Sequence, residues 1–265
     1  MKPRFFPVVL GLTWASVGSF AVNAAAEPVS ELQATTPQAT TPQPQPSSKT
    51  PSSETTGQPV ELQPNELTRL HPDQEIWVDP KRKRVVVGGQ VCLREGLLEM
   101  FACPRATKEH ESIVAVNSRA SLVHTALLSV GAKPGHPVRY DPIYQPAEGQ
   151  AIEIEVIWRD KQGQVKRRRA QDMVRHVKRG KPMSLDWIFA GSGFWKDEET
   201  GEKFYQAEGG ELICLSNFST ATLDLPVESP RDNADLVYEA FTENIPPVGT
   251  KVRLILAAKK GKASD

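Results

Sequence analysis

The nine residues AIEIEVIWR, 151–159, set Ile152, Ile154, Val156 and Trp158 at alternate positions, with Glu153, Glu155, Ile157 and Arg159 between them. A period of two sends successive side chains to opposite faces of an extended chain, so this stretch buries its apolar set only as a strand with one face on a core. The segment DKQGQ carries turn residues and VKRRRA returns, which predicts a hairpin. With Arg159 opposite Gln164, Glu155 faces Arg168 and Glu153 faces Ala170; a slip of one residue brings Glu155 opposite Arg169. Acid meets base in either register. The run Lys166-Arg167-Arg168-Arg169 therefore reads as neutralised by its neighbour strand, and no nucleic-acid partner is expected.

An earlier pair of runs, KRVVVGGQVCL and LLEMFACP, flanks Arg94-Glu95-Gly96 and suggests a first hairpin with Glu95 and Gly96 at the turn. Leu93 then faces Leu98 and Val91 faces Met100. Cys92 and Cys103 share the other face but are staggered by about four residues at roughly 3.3 Å each, too far for a disulfide. Cys214 leaves the count odd, and the expectation is three free, buried cysteines with no disulfide. Neither an iron–sulfur nor a nucleotide-binding motif is present, so no cofactor is assigned.

Residues 112–117 are rich in Ile and Val and read as a short strand; Ser118 follows as a candidate N-cap, and the spacing then turns helical. Leu122, Val123, Ala126, Leu127 and Val130 form one stripe, ended by Gly131 and Pro134-Gly135, which predicts a helix over about 119–130. His110 and Glu111 precede the strand and His124 flanks the stripe. Imidazole and carboxylate suit zinc and similar metals or acid/base work, so these three are candidate site residues. Their spacing does not match HExxH, and hydrogen bonds tying loop to helix are the structural alternative.

Trp187, Phe189, Phe194, Trp195, Phe204 and Tyr205 crowd around Gly191-Ser192-Gly193. Ser192 lacks the GxSxG context of a nucleophile elbow. Gly191 and Ser192 could instead offer backbone N–H groups to an anion, and Trp187 and Trp195 could stack on a sugar. The competing expectation is that the rings fill the core and the glycines mark a sharp bend. At the end of the chain, ADLVYEAF and KVRLILAA read as two strands joined by Pro246-Pro247-Val248-Gly249.

The N-terminus bounds the folded part. Lys2 and Arg4 precede an apolar run that ends in Ala24-Ala25-Ala26, the pattern of a cleaved signal peptide over residues 1–26; an uncleaved inner-membrane anchor is the alternative. Residues 27–66 hold eight prolines, many Ser, Thr and Gln, and no aromatic residue, and read as a disordered spacer. Residues 67–260 form one folded domain, and 261–265 a solvated tail. The chain balances 32 basic against 32 acidic residues, so removal of Lys2 and Arg4 leaves the mature protein near neutral.

Five stretches, KEHESIVAV, SLVHTALLSVGAKPG, DWIFAGSGF, AEGGELICLSNF and IPPVGTKVRLIL, occur in this order, and together they resemble the YdjY-type domain of exported bacterial proteins. The resemblance covers about 74–258. It implies a domain type and export, and it assigns no reaction. Some relatives are associated with ferredoxin-like proteins, but this chain lacks the cysteine spacing. The family motifs coincide with His110, Glu111, His124, Gly191 and Ser192.

The expected fold is α+β, a β-rich domain with a mixed or antiparallel sheet, one main helix and few short ones. The expected function is that of an exported, periplasmic or extracellular, non-enzymatic module binding an envelope protein, a glycan or a small ligand. A metal-dependent hydrolase-like enzyme using His110, Glu111 and His124 is the alternative.

Overall fold

The computed structural model describes residues 66–230 and 236–260. The expected signal segment, the tail and the spacer up to residue 65 lie outside the described residues. Eight strands carry the architecture: β1 (Arg84–Val91), β2 (Met100–Pro104), β3 (Ser112–Val116), β4 (Ala151–Arg159), β5 (Trp187–Phe189), β6 (Ile213–Cys214), β7 (Leu223–Asp224) and β8 (Lys251–Ala258). Hydrogen bonding runs β1–β8–β4–β5–β7–β6–β2–β3, and β3 returns to β1 through Gly89↔Val116 and Val91↔Val114. The sheet thus closes into an eight-stranded barrel, antiparallel except at β6–β7 and β2–β3.

Closure corrects the expected fold class. An α+β domain with a mixed or antiparallel sheet and one helix does not describe a sheet whose eight main strands close into a ring. The sequence error lies in the first hairpin: β1 and β2 do not pair. One edge of β1 first takes the strand Ile76–Asp79 and then β3, while β2 lies beyond β3 and parallel to it. Gly88 and Gly89 sit where β1 changes partner. A Cβ at Gly88 would lie 2.6 Å from the Glu75 Cβ, and one at Gly89 2.5 Å from the Ala115 carbonyl oxygen, so only glycine admits both neighbours. The chain after Gly96 leads to a bridge between Leu97 and Glu239.

The period-two pattern explains the core. Val85, Val87, Ile154, Val156, Leu254 and Leu256 belong to the main core with Trp187, Phe189 and Leu223. The alternate residues Val86, Ile157 and Ile255 form a second cluster on the outer face, covered by Leu67 and Trp77. Ile157 is therefore buried although it lies on the same outward face as Glu153 and Glu155. The second hairpin forms in the slipped register, with Glu155 opposite Arg169. Glu155 bonds diagonally to Arg167 at 3.1 Å, Lys166 meets Asp160 at 3.3 Å, Arg169 meets Asp172 at 2.9 Å, and Arg168 donates to Asn244 at 2.7 Å.

Helix α1 (Ala120–Ser129) buries Ala120, Val123, Ala126 and Leu127. It ends as glycine allows: Gly131 adopts φ +89°, and the N–H groups of Gly131 and Ala132 reach back to Leu128 and Leu127. Near the other terminus, Tyr238–Ala240 does not pair with β8; it joins Val174–His176 and Lys181–Pro182 in a separate three-stranded sheet. The three cysteines are free thiols. Among the described residues no helix is long and apolar enough to cross a membrane.

Candidate functional site

His124 and Gly191 meet at one short segment, Tyr205 to Glu211, that runs past the start of α1. Ser118 does not cap the helix; its hydroxyl turns to the Arg119 carbonyl. The cap comes from 87 and 88 residues away in sequence. The Glu208 carboxylate accepts from the backbone N–H of Ala120 and of Ser121, each at 3.0 Å, and from the Ser121 hydroxyl at 2.5 Å. An acidic group here satisfies two of the unpaired N–H groups and lies at the positive end of the helix dipole. Gln74 accepts from the Arg119 N–H at 2.8 Å. Sequence reading missed Glu208 because nothing local to the helix announces a cap so distant.

One turn further along α1, His124 joins Gly191 and Ser192 through Tyr205. His124 Nδ1 lies 2.9 Å from the Tyr205 hydroxyl, which also donates to the Gly191 carbonyl at 3.2 Å and lies 3.1 Å from the Thr222 hydroxyl. A phenol has one proton to give. Donation to Gly191 makes His124 Nδ1–H the donor to Tyr205. Burial holds the His124 imidazole below its ordinary range, partly opposed by the Gly191 carbonyl, and pushes Tyr205 up to about 12 against hydrogen bonds from Thr222 and Ser192. His124 is further fixed by the edge of Phe189, ring centroids 4.9 Å apart.

The Gly-Ser-Gly bend is not an anion nest. Gly191 N–H donates to the Thr222 carbonyl and Ser192 N–H to that of Ala221, while the Ser192 hydroxyl donates to Thr220 at 2.6 Å. Among the described residues the Ser192 hydroxyl is thus given to a backbone carbonyl and not to a side-chain base. The left-handed backbone of Gly191 (φ +92°) and Ser192 (φ +53°) makes the sharp bend that delivers Tyr205 to His124.

His110 and Glu111 stand apart from this node. His110 is 76% exposed at its side chain and lies 3.8 Å from Glu111. Glu111 is one of three carboxylates on Lys108, with Nζ distances of 3.1 Å to Glu111 and 3.5 Å to both Glu99 and Glu211; the ammonium also lies 4.7 Å from the Phe218 ring centre. Burial alone would lower Lys108, but the three carboxylates raise it; burial and Glu111 raise Glu99 against the pull of Lys108. Of the three residues of the hydrolase alternative, His124 is thus bound to Tyr205, while Glu111 is held by Lys108 with the largely exposed His110 3.8 Å away. Among the described residues no group of three or more His, Cys, Asp or Glu could hold a metal ion.

The aromatic cluster divides. Trp187 is fully buried, packs against Phe101 at 5.3 Å and donates its indole N–H to the Cys214 carbonyl at 2.7 Å, so it offers no face to a ligand. Trp195 is 52% exposed on a small hairpin of Phe194–Lys196 with Lys203–Tyr205, tilted against Phe204 at 5.6 Å.

Beside the Glu208 cap lies an open groove of about 750 Å³. Gln74, Thr107, Asn117 and Ser118 line it with amides and hydroxyls, and Arg69, Arg105 and Arg119 with guanidinium groups. Glu75 and Glu208 also line it, but their carboxylates are engaged, Glu75 by Asn117 Nδ2 at 2.8 Å and Glu208 by the helix.

The model of the YdjY domain family matches residues 76–257, from the strand before β1 to the end of β8, so the matched stretch is the barrel itself. The chain belongs to the YdjY domain family. Comparison with curated proteins and with solved structures returns no match. The YdjY match contains His110, Glu111, His124, Gly191 and Ser192, together with Tyr205 and Glu208.

Proposed function

We propose that this YdjY domain is an exported, non-enzymatic binding module whose groove at the start of α1 takes an acidic glycan. The observation that carries this reading is the groove's chemistry. Arg105 and Arg119 line it with no side-chain partner among the described residues, while two of its three acids, Glu75 and Glu208, are already engaged. Guanidinium groups match carboxylates bidentately, and the amides and hydroxyls of Gln74, Asn117, Ser118 and Thr107 suit sugar hydroxyls. The open shape accommodates a chain passing through. The absence of catalysis in this proposal rests on the bonding of the candidate groups: His124 and Ser192 are each committed to partners that hold a bend, not to each other.

The test is titration of the full chain with a uronic-acid oligosaccharide and with its neutral counterpart, followed by calorimetry. Binding of the acidic sugar, weakened about tenfold or more by Arg105→Ala with Arg119→Ala, is expected. Equal binding of both sugars, or no effect of the double substitution, would overturn the reading.

A further inference from the structure

A second cavity, sharing no lining residue with the groove, lies against the three-stranded sheet. It measures about 290 Å³, room for roughly ten water-sized groups. His176, at the end of Val174–His176, stands opposite both Lys181 and Tyr238 in the two flanking strands, and its ring meets the Tyr238 ring edge-on at 5.6 Å. Pro182, Met183, Leu185, Val227 and Val237 form apolar walls.

Two features point to an occupant. His176 Nδ1 is buried and makes no hydrogen bond among the described residues, although its imidazole sits in a wall that also carries Ser184 and Arg179. The tight turn after His176, with the N–H groups of Arg179 and Gly180 returned to the His176 carbonyl, places Lys178, Arg179 and Lys181 within six residues. None of these three side chains has a carboxylate partner among the described residues, and Glu228 is the one acid that lines the cavity. Burial first, then the charges of Arg179 and Lys178, hold His176 below its ordinary range, partly opposed by its own backbone carbonyl. A buried polar atom left without a partner favours any ligand that supplies one.

We propose that this cavity binds a small amphiphilic carboxylate. The carboxylate pairs with Arg179 at the mouth and accepts a hydrogen bond from His176 Nδ1, and the hydrocarbon part lies against Met183, Leu185, Val227 and Val237. An inorganic dianion fits less well. It would place its oxygens against apolar walls and find a single guanidinium among the lining residues. The inference does not depend on the glycan groove.

The experiment is ligand-observed NMR titration of the full chain with benzoate, and separately with inorganic phosphate, at pH 7. Saturable benzoate binding at or below about 1 mM is expected, weakened about tenfold by Arg179→Met, which keeps the apolar stem, and by His176→Phe, which keeps the ring against Tyr238. An unchanged thermal midpoint checks that each variant is folded, and Arg179 lies at the surface, so its substitution leaves the sheet intact. Benzoate binding that never saturates, or that survives Arg179→Met unchanged, would overturn the proposal. So would phosphate binding as tightly as benzoate, which would leave the apolar walls without a role.

Discussion

Asp224 offers the sharpest test of the barrel as described. It lies on β7 with no exposure: Oδ1 accepts from Asn217 Nδ2 at 3.0 Å and from the Leu225 N–H at 2.7 Å, while Oδ2 is buried with no hydrogen-bond partner of good geometry among the described residues. Burial raises its pKa from 3.8 to about 7 despite those hydrogen bonds. The native state therefore holds this proton more tightly than the unfolded chain. The sign follows: stability is greatest below the unfolded value, falls as pH rises towards 7 and levels above it. At about 1.4 kcal/mol per unit, the gap costs the folded state about 4 kcal/mol in all, of which about 3 kcal/mol develops between pH 5 and 8. Asp224→Asn keeps the Oδ1 acceptor and removes the charge. Urea unfolding of wild type and variant should show the variant gaining about 3 kcal/mol relative to wild type from pH 5 to pH 8. His124 and His176, whose values are lowered, act with the opposite sign and are present in both proteins, so the difference isolates Asp224. A wild-type-to-variant difference that is the same at both pH values would refute the reasoning.

Glu208→Ala should cost about 1–2 kcal/mol, because it frees two helix N–H groups and the Ser121 hydroxyl, and hydrogen exchange should speed selectively at Ala120 and Ser121. Gly191→Ala forces a side chain into left-handed backbone with its Cβ 3.0 Å from that of Pro134; a loss of about 1–3 kcal/mol by chemical denaturation is expected. Trp187→Ala should cost about 3–5 kcal/mol as a buried cavity with a lost indole hydrogen bond, whereas Trp195→Ala on the exposed hairpin should stay within about 0.5 kcal/mol. Thermal melts of the two tryptophan variants side by side separate the ring that builds the core from the one that does not.

What the sequence shows, it shows through local period. The alternation of Ile152 to Trp158 and the stripe from Val123 to Leu127 each fix one element and its buried face, because 2.0 and 3.6 are properties of the chain alone. The bend at Gly191 was also legible. Register was less so: charge pairing allowed Glu155 to meet Arg168 or Arg169, and the structure takes the second. The candidate residues were legible as a set of polar side chains in family motifs, but not as a geometry. Tyr205 joins His124 to Gly191 and Lys108 joins Glu111 to Glu211, so each link runs through a residue whose partner lies far away in sequence or in another element.

Closure was hidden for a related reason. Two of the eight barrel strands, β6 and β7, are two residues long, too short for any period to show, and they pair in parallel. The β1–β3 contact that completes the ring skips the neighbouring β2, where a turn at Glu95-Gly96 favours a hairpin in sequence. What settles the competition is steric. Gly88 and Gly89 let Glu75 and Ala115 approach β1 more closely than any Cβ permits, so the edge that a hairpin with β2 would have used is taken by Ile76–Asp79 and β3. Once that edge is filled, β2 can reach the sheet only on the far side of β3. Its pairing there with β3 and β6 leaves no edge of the eight-stranded ring open.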